Sequence, residues 1–157
     1  MSDTPQTLGD RLREEGTRVI DFFNRLSRDQ WEILVYVQEG NWTLHHLLAH
    51  FVSAEIGRRK LIIDVARGGT GAPPEFDIDA FNNEEVDRLS NRSNVDLLAL
   101  FYKERTQLVG FVADLSQENL DLVGKDPFLG ETSLREMIKL TYLHLHIHLR
   151  DARRFLS

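Results

Sequence analysis

His144 and His148 stand four residues apart in a segment with helical periodicity, and His50 lies far upstream inside another apolar helical segment. At about 100° per residue a four-residue step returns to nearly the same helix face, so the first two imidazoles point together. Neutral imidazole is a ligand for zinc, nickel, copper and iron. Three protein ligands with an open position are the usual arrangement where a metal does chemistry. His144 and His148 share a stripe with Met137, Thr141, Ala152 and Phe155, while His50 lies beside Leu47, Phe51 and Ala54. Burying three imidazoles with no polar purpose would cost about 1–3 kcal/mol for each unsatisfied group, and a metal removes that cost.

The other histidines sort by angle. His146 is two residues from both helix partners and so points about 200° away from each; His45 fails in the same way against His50. His46, one turn before His50 on a similar face, is the alternative ligand or supporting partner.

Nearly all of the chain reads as helix. From about Thr7 to Leu26, Leu8, Leu12, Val19, Ile20, Phe23 and Leu26 recur at near-helical intervals. Ser27 with Gln30 resembles a small capping box, and Glu39-Gly40-Asn41 breaks the chain before Trp42-Thr43 starts a second helix that ends at Gly68-Gly69. The Gly/Pro-rich GGTGAPPEFDID then suits a long crossover loop, the kind of segment that often carries function. A short helix over Ala80 to Leu89 follows, and Ser93 caps a third long helix. Ser116 to Leu120 reads as a turn and Gly124 to Gly130 as a loop. The Ser133-x-x-Glu136 box opens a last helix running to about Phe155. No strand pattern stands out, so the expected architecture is an all-α four-helix bundle with a long central connection and a short extra helix. The two halves echo one another weakly, each closing a helix before a loop and a capped helix that bears candidate ligands.

Composition narrows the function. The 157 residues suit one domain, and a 41% apolar, 28% charged content is that of an ordinary globular chain. A formal charge of −6 argues against a nucleic-acid footprint, since the Arg-rich end is short. With no cysteine, any metal rests on His, Asp or Glu. The polar N-terminus and the lack of a long apolar run predict a cytoplasmic protein with no membrane partner.

Trp42-Thr43 followed by LHHLLAHFVSAE resembles the W-(S/T)-x-x-x-(L/I)-x-x-H-L-x-x-x-E signature of DinB-like (YfiT-like) proteins, and HLHIHLRDA resembles their closing H-x-x-x-H helix. The resemblance spans essentially the whole chain. It implies an up-down-down-up four-helix bundle, commonly a homodimer, with a divalent metal, usually zinc or nickel, on the positions matched by His50, His144 and His148. FDIDAFNNEEV after the Gly/Pro-rich loop is similar to the N-terminal domain of mycothiol-dependent maleylpyruvate isomerases. Those enzymes carry Glu at the position of His144 and an additional C-terminal domain.

Two enzymatic expectations follow for a small-molecule substrate. A low-molecular-weight thiol such as bacillithiol, mycothiol or glutathione binds the open position as thiolate and attacks an electrophile, as the resemblance implies. Alternatively, the metal lowers the pKa of a bound water toward ~7 for amide or ester hydrolysis, with a carboxylate nearby as base. Glu55 and Asp151 are the candidates for that base or for partners to an imidazole N–H. Trp42 reads as a core anchor beside the helix start, Tyr102 and Tyr142 as possible donors to substrate, and Asn82 and Asn83 as shapers of a pocket mouth or caps. A different class stays open: a non-catalytic, stress-associated protein whose metal staples the helices, for which a fourth protein ligand such as His46 or Glu55 is expected.

Overall fold

The computed structural model describes residues 3–36 and 41–156; the expected break at Glu39-Gly40 lies outside them. Helix α1 (Pro5–Asn24) opens with Thr4 and Thr7 in a reciprocal cap and Pro5 in the first turn, where a missing N–H costs nothing. Its Leu8, Leu12, Val19, Phe22 and Phe23 are buried. Helix α2 (Leu44–Ala66) is capped by Thr43, short α3 (Ile78–Leu89) by Asp77, α4 (Asn94–Ala113) by Ser93 and α5 (Leu134–Arg153) by Ser133. In each the cap oxygen accepts from the backbone N–H three residues on, satisfying one of the orphan donors at a helix start.

The main packing is of α1 on α4 and α5, and of α2 on the same two helices. Helices adjacent in sequence within each half thus sit diagonally, and the order around the bundle is α1, α4, α2, α5. The short α3 packs beside α2.

Two apolar clusters fill the bundle. One holds Phe23, Trp42, Phe51, Phe101 and Leu149; the other holds Leu12, Ile62, Leu108, Leu134 and Met137. Between them in every long helix lies a buried polar level made by Glu15, Glu55, Arg58, Glu104, Arg105 and Thr141. Arg105 spans it, donating Nε and Nη2 to the two oxygens of Glu55 at 2.7 and 2.5 Å and Nη1 to the Leu12 carbonyl at 2.7 Å. Bidentate geometry and the carbonyl contact offset the desolvation of both charges.

The expectation of no strands, and of a loop over Gly124 to Gly130, is corrected. Strand β1 (Leu34–Tyr36) pairs antiparallel with β2 (Trp42–Thr43), and β3 (Val123–Asp126) with β4 (Gly130–Ser133). Strands of two to four residues are too short to print an alternating pattern, and Gly124 and Gly130 read as breakers. The echo between the halves is now explicit: helix, 3-10 turn, hairpin, helix occurs twice. The turns match, with Ser27 and Gln30 bonded reciprocally as Ser116 and Asn119 are. The entries to the following helices match too, Leu44 N–H donating to Ile33 and Leu134 N–H to Leu122.

The long crossover is pinned onto the second hairpin. Gly71 bridges to Lys125, Ala72 N–H donates to the Lys125 carbonyl, and Lys125 N–H donates to Thr70. Gly71 has φ +91°, and a Cβ there would stand 2.4 Å from the Lys125 carbonyl oxygen, so only glycine allows this approach. Among the described residues no helix is long and apolar enough to cross a membrane.

Candidate metal centre

Helix α2 brings His50, and α5 brings His144 and His148, to the border between the first apolar cluster and the polar level. One ring nitrogen from each lies within 4.8 Å of the others, and Nε2 of His144 is 2.9 Å from Nε2 of His148. Two lone pairs cannot face one another at that distance without a proton or a cation between them. His50 is 3% exposed, and its Nδ1 has no hydrogen-bond partner. An orphaned buried nitrogen and three convergent imidazoles with ring nitrogens within 4.8 Å of one another together fit a divalent ion.

Burial keeps these rings neutral. The His50 pKa falls to about 3, first through burial and then through the adjacent His148 and His144. His144 falls to about 4 through burial, His148 and the Arg58 charge, partly countered by Asp126. His148 is lowered by burial against an opposing pull from Asp151. Neutral imidazole is the ligating form.

The hairpins hold the rings. From β1 the Tyr36 hydroxyl reaches Nδ1 of His148 at 2.7 Å, and at β2 the Trp42 ring packs 5.2 Å from that of His50. After β3 the Phe128 ring lies 5.6 Å from His144. Asp126, fully buried, accepts from the Phe128 and Leu129 N–H groups and faces Arg58. Arg58 donates Nε to Thr141 and Nη2 to the Met137 carbonyl. Its Nη2 also stands 2.7 Å from Asp126 Oδ2, an ion-pair contact without the alignment of a hydrogen bond. The sequence reading missed Tyr36, Asp126 and Arg58. Tyr36 carries no sequence signal, whereas Arg58 continues the four-residue step His50, Ala54, Arg58 along one face of α2 and was legible as a charge in the site's stripe.

Other expectations find different places. His46 closes the α2 cap, its Nδ1 accepting from Thr43 N–H at 3.1 Å, so it does not join the three-histidine group. His45 bonds Asn94 and the Ser90 carbonyl, and His146 faces Glu15 at 3.5 Å. Glu55, expected as a base or a fourth ligand, has both oxygens held by Arg105. Asp151 is partly exposed, touches Arg150, and acts on His148 through its charge. Tyr102 is exposed and Tyr142 belongs to the second apolar cluster. Asn82 lines the cavity described next; the cap of α3 is Asp77, not an asparagine.

A cavity of about 430 Å³ opens against His50 and His144, between α2, α3, the crossover loop and the second hairpin. Its walls are chiefly apolar, with Leu61, Phe76, Ile78, Phe81 and Phe128, and its few polar residues include Ser53, Arg58 and Asn82. That balance is typical of a small-molecule site.

The sequence profile of the DinB superfamily matches residues 11–152. No curated protein matches the chain in sequence. Among solved structures, YfiT from Bacillus subtilis, described as a probable metal-dependent hydrolase with an unusual four-helix bundle topology, superposes with a TM-score of 0.78 at 14% identity. That match covers 98% of this chain and 88% of YfiT. A mycothiol-dependent maleylpyruvate isomerase superposes with a TM-score of 0.77 at 16% identity, over 96% of this chain. The chain spans 61% of the length of that isomerase.

Proposed function

This chain belongs to the DinB superfamily, and from that premise we propose that it is a metal-dependent enzyme whose His50, His144 and His148 hold one zinc or nickel ion with a position left open to the cavity. The observation that carries the proposal is the group of three ring nitrogens within 4.8 Å, with no fourth ligating residue among the described ones. A structural site is normally closed by a fourth protein ligand. His46 and Glu55, the residues spaced to supply one, are bonded elsewhere. A divalent ion here supplies a Lewis acid that lowers the pKa of a bound water or thiol.

The chain's own residues do the rest. Tyr36 sets the His148 ring, Trp42 and Phe128 pack against His50 and His144, and burial excludes protons from the ligands. A thiol-dependent transfer or isomerisation is the preferred reaction, because a thiolate brings its own nucleophile. Hydrolysis needs a positioned base, and Glu55 is committed to Arg105. The hydrolytic reading retains Asp151, one turn beyond His148 on α5, as its base.

Cobalt-substituted protein titrated with bacillithiol, mycothiol and glutathione tests this. A thiolate-to-cobalt charge-transfer band with one of them supports the thiol reading. No band with any thiol, together with turnover of an activated ester that His144→Ala abolishes, replaces it with hydrolysis.

A further inference from the structure

The floor of the cavity is Gly57, in the middle of α2. A glycine inside a helix is destabilising relative to alanine, and is usually tolerated where a neighbour comes too close for a side chain. Among the described residues no such neighbour exists: a Cβ on Gly57 would meet nothing within 4 Å. The missing side chain leaves open space at the cavity and relieves no packing conflict.

The polar residues beside this floor are incomplete. Ser53 is 1% exposed and its hydroxyl has no partner among the described residues. A helical serine can always donate to the carbonyl four residues back, and this one does not. Arg58 is 8% exposed, with Nε and Nη2 fixed by Thr141, Met137 and Asp126, while Nη1 has no partner. Both side chains line the cavity. Two unpartnered buried donors on residues that line one cavity are unusual in a folded chain. On the opposite walls, Phe76 and Phe128 remain exposed although both are large and apolar. Lys60 adds a second cation to the lining, and the Asp64 carboxylate there accepts from Gly71 N–H.

We propose that this cavity is the ligand compartment of the centre and takes a small apolar carboxylate, its anionic end on Ser53 and Arg58 and its apolar body over Gly57 against Phe76 and Phe128. A guanidinium edge and a hydroxyl read a carboxylate by charge-assisted hydrogen bonds, and aromatic walls favour an alkyl or aryl body. The proposal deepens the metal-enzyme reading and rests on it only in placing the reacting end of the ligand beside His50 and His144.

The test is calorimetric titration of hexanoate and 3-phenylpropionate, each against its neutral amide, into full-length protein with and without zinc. The expected result is carboxylate binding to the zinc-free protein about tenfold or more tighter than amide binding, the scale of one charge-assisted hydrogen bond. Ser53→Ala should weaken carboxylate binding about fivefold and Arg58→Lys about tenfold, leaving the amides little changed. Gly57→Leu, which fills the floor in a helix that tolerates leucine better than glycine, should abolish binding of both while circular dichroism stays native. Equal binding of acid and amide, or unchanged binding in Gly57→Leu, overturns the proposal. So does binding that needs zinc and survives Arg58→Lys, which places the anion on the metal. Absence of all binding in a protein that carries one zinc per chain removes the compartment and leaves the metal centre standing. Carboxylate binding by a protein that takes up no stoichiometric zinc when zinc is supplied removes only the metal reading.

Discussion

The Tyr36 hydroxyl and Nδ1 of His148 meet at 2.7 Å across 112 residues of sequence. With the phenolic oxygen accepting, Nδ1 carries the proton and Nε2 offers its lone pair toward His144. Such a partner raises ligand basicity and fixes the ring, and its loss typically costs about 10–100-fold in metal affinity. Tyr36→Phe should therefore lose zinc to a competing chelator about 10–100-fold more readily, with native circular dichroism. Equal retention in the two proteins would show that the phenol does not hold the ring.

Metal content separates ligands from bystanders. Elemental mass spectrometry on untagged protein should find near one zinc or nickel per chain, and much less in folded His50→Ala, His144→Ala and His148→Ala. His46→Ala should keep its metal and instead lose about 1 kcal/mol of stability, because its imidazole accepts from Thr43 N–H in the α2 cap. A His46→Ala protein that folds normally but carries no metal would contradict this assignment.

Glu55 and Asp151 divide along similar lines. Removing one partner of a buried, hydrogen-bonded ion pair costs about 3–5 kcal/mol, so Glu55→Ala should show a much lower urea midpoint. Asp151, on the partly exposed side of α5, should tolerate Asn within about 0.5 kcal/mol. A drop in turnover in Asp151→Asn without a drop in stability would favour hydrolysis.

The lowered histidines set a pH dependence in metal-free protein. Their ordinary pKa lies near 6.5, whereas His50 is held at about 3 and His144 at about 4. Between those values the unfolded chain binds protons that the folded chain refuses, so stability is full above pH ~6.5 and falls as pH falls. The two rings together contribute a slope of up to about 2.7 kcal/mol per pH unit in that window. Urea midpoints from pH 7.5 to 4.5 measure it, and His50→Gln should flatten the profile; an identical profile in the variant would exclude His50 as a source. In metal-loaded protein the same burial delays proton competition, so the ion should leave with unfolding and not across the ordinary histidine range.

The four long helices, and the caps of α2, α4 and α5, were legible because apolar periodicity and Ser/Thr starts are local signals; the Thr4 cap of α1 was not read. Thr43, Ser93 and Ser133 each do what their sequence position predicts. The three-histidine group was legible for a related reason: the four-residue step on α5 is a helix-face rule, and His50 sits on an apolar face of α2. The hairpins were not, since two to four residues carry no period. Nor was the buried polar level, because Glu55, Glu104 and Arg105 look like solvated helix charges until the diagonal arrangement of the halves brings them together. Glu55 reads locally as a free carboxylate for that reason. Its partner is fifty residues away, and nothing local announces the pair.

The repeated helix, hairpin, helix unit has a consequence for how the molecule assembles. Its first copy owns one of the three imidazoles and its second copy owns two. Neither copy alone can complete the trio. A captured ion is therefore a cross-link between distant stretches of chain, and it narrows the freedom of the unfolded molecule as any closure of a long loop does. The second copy offers only a weak two-point grip until the first has docked, so full-strength capture reports that the halves have already found each other.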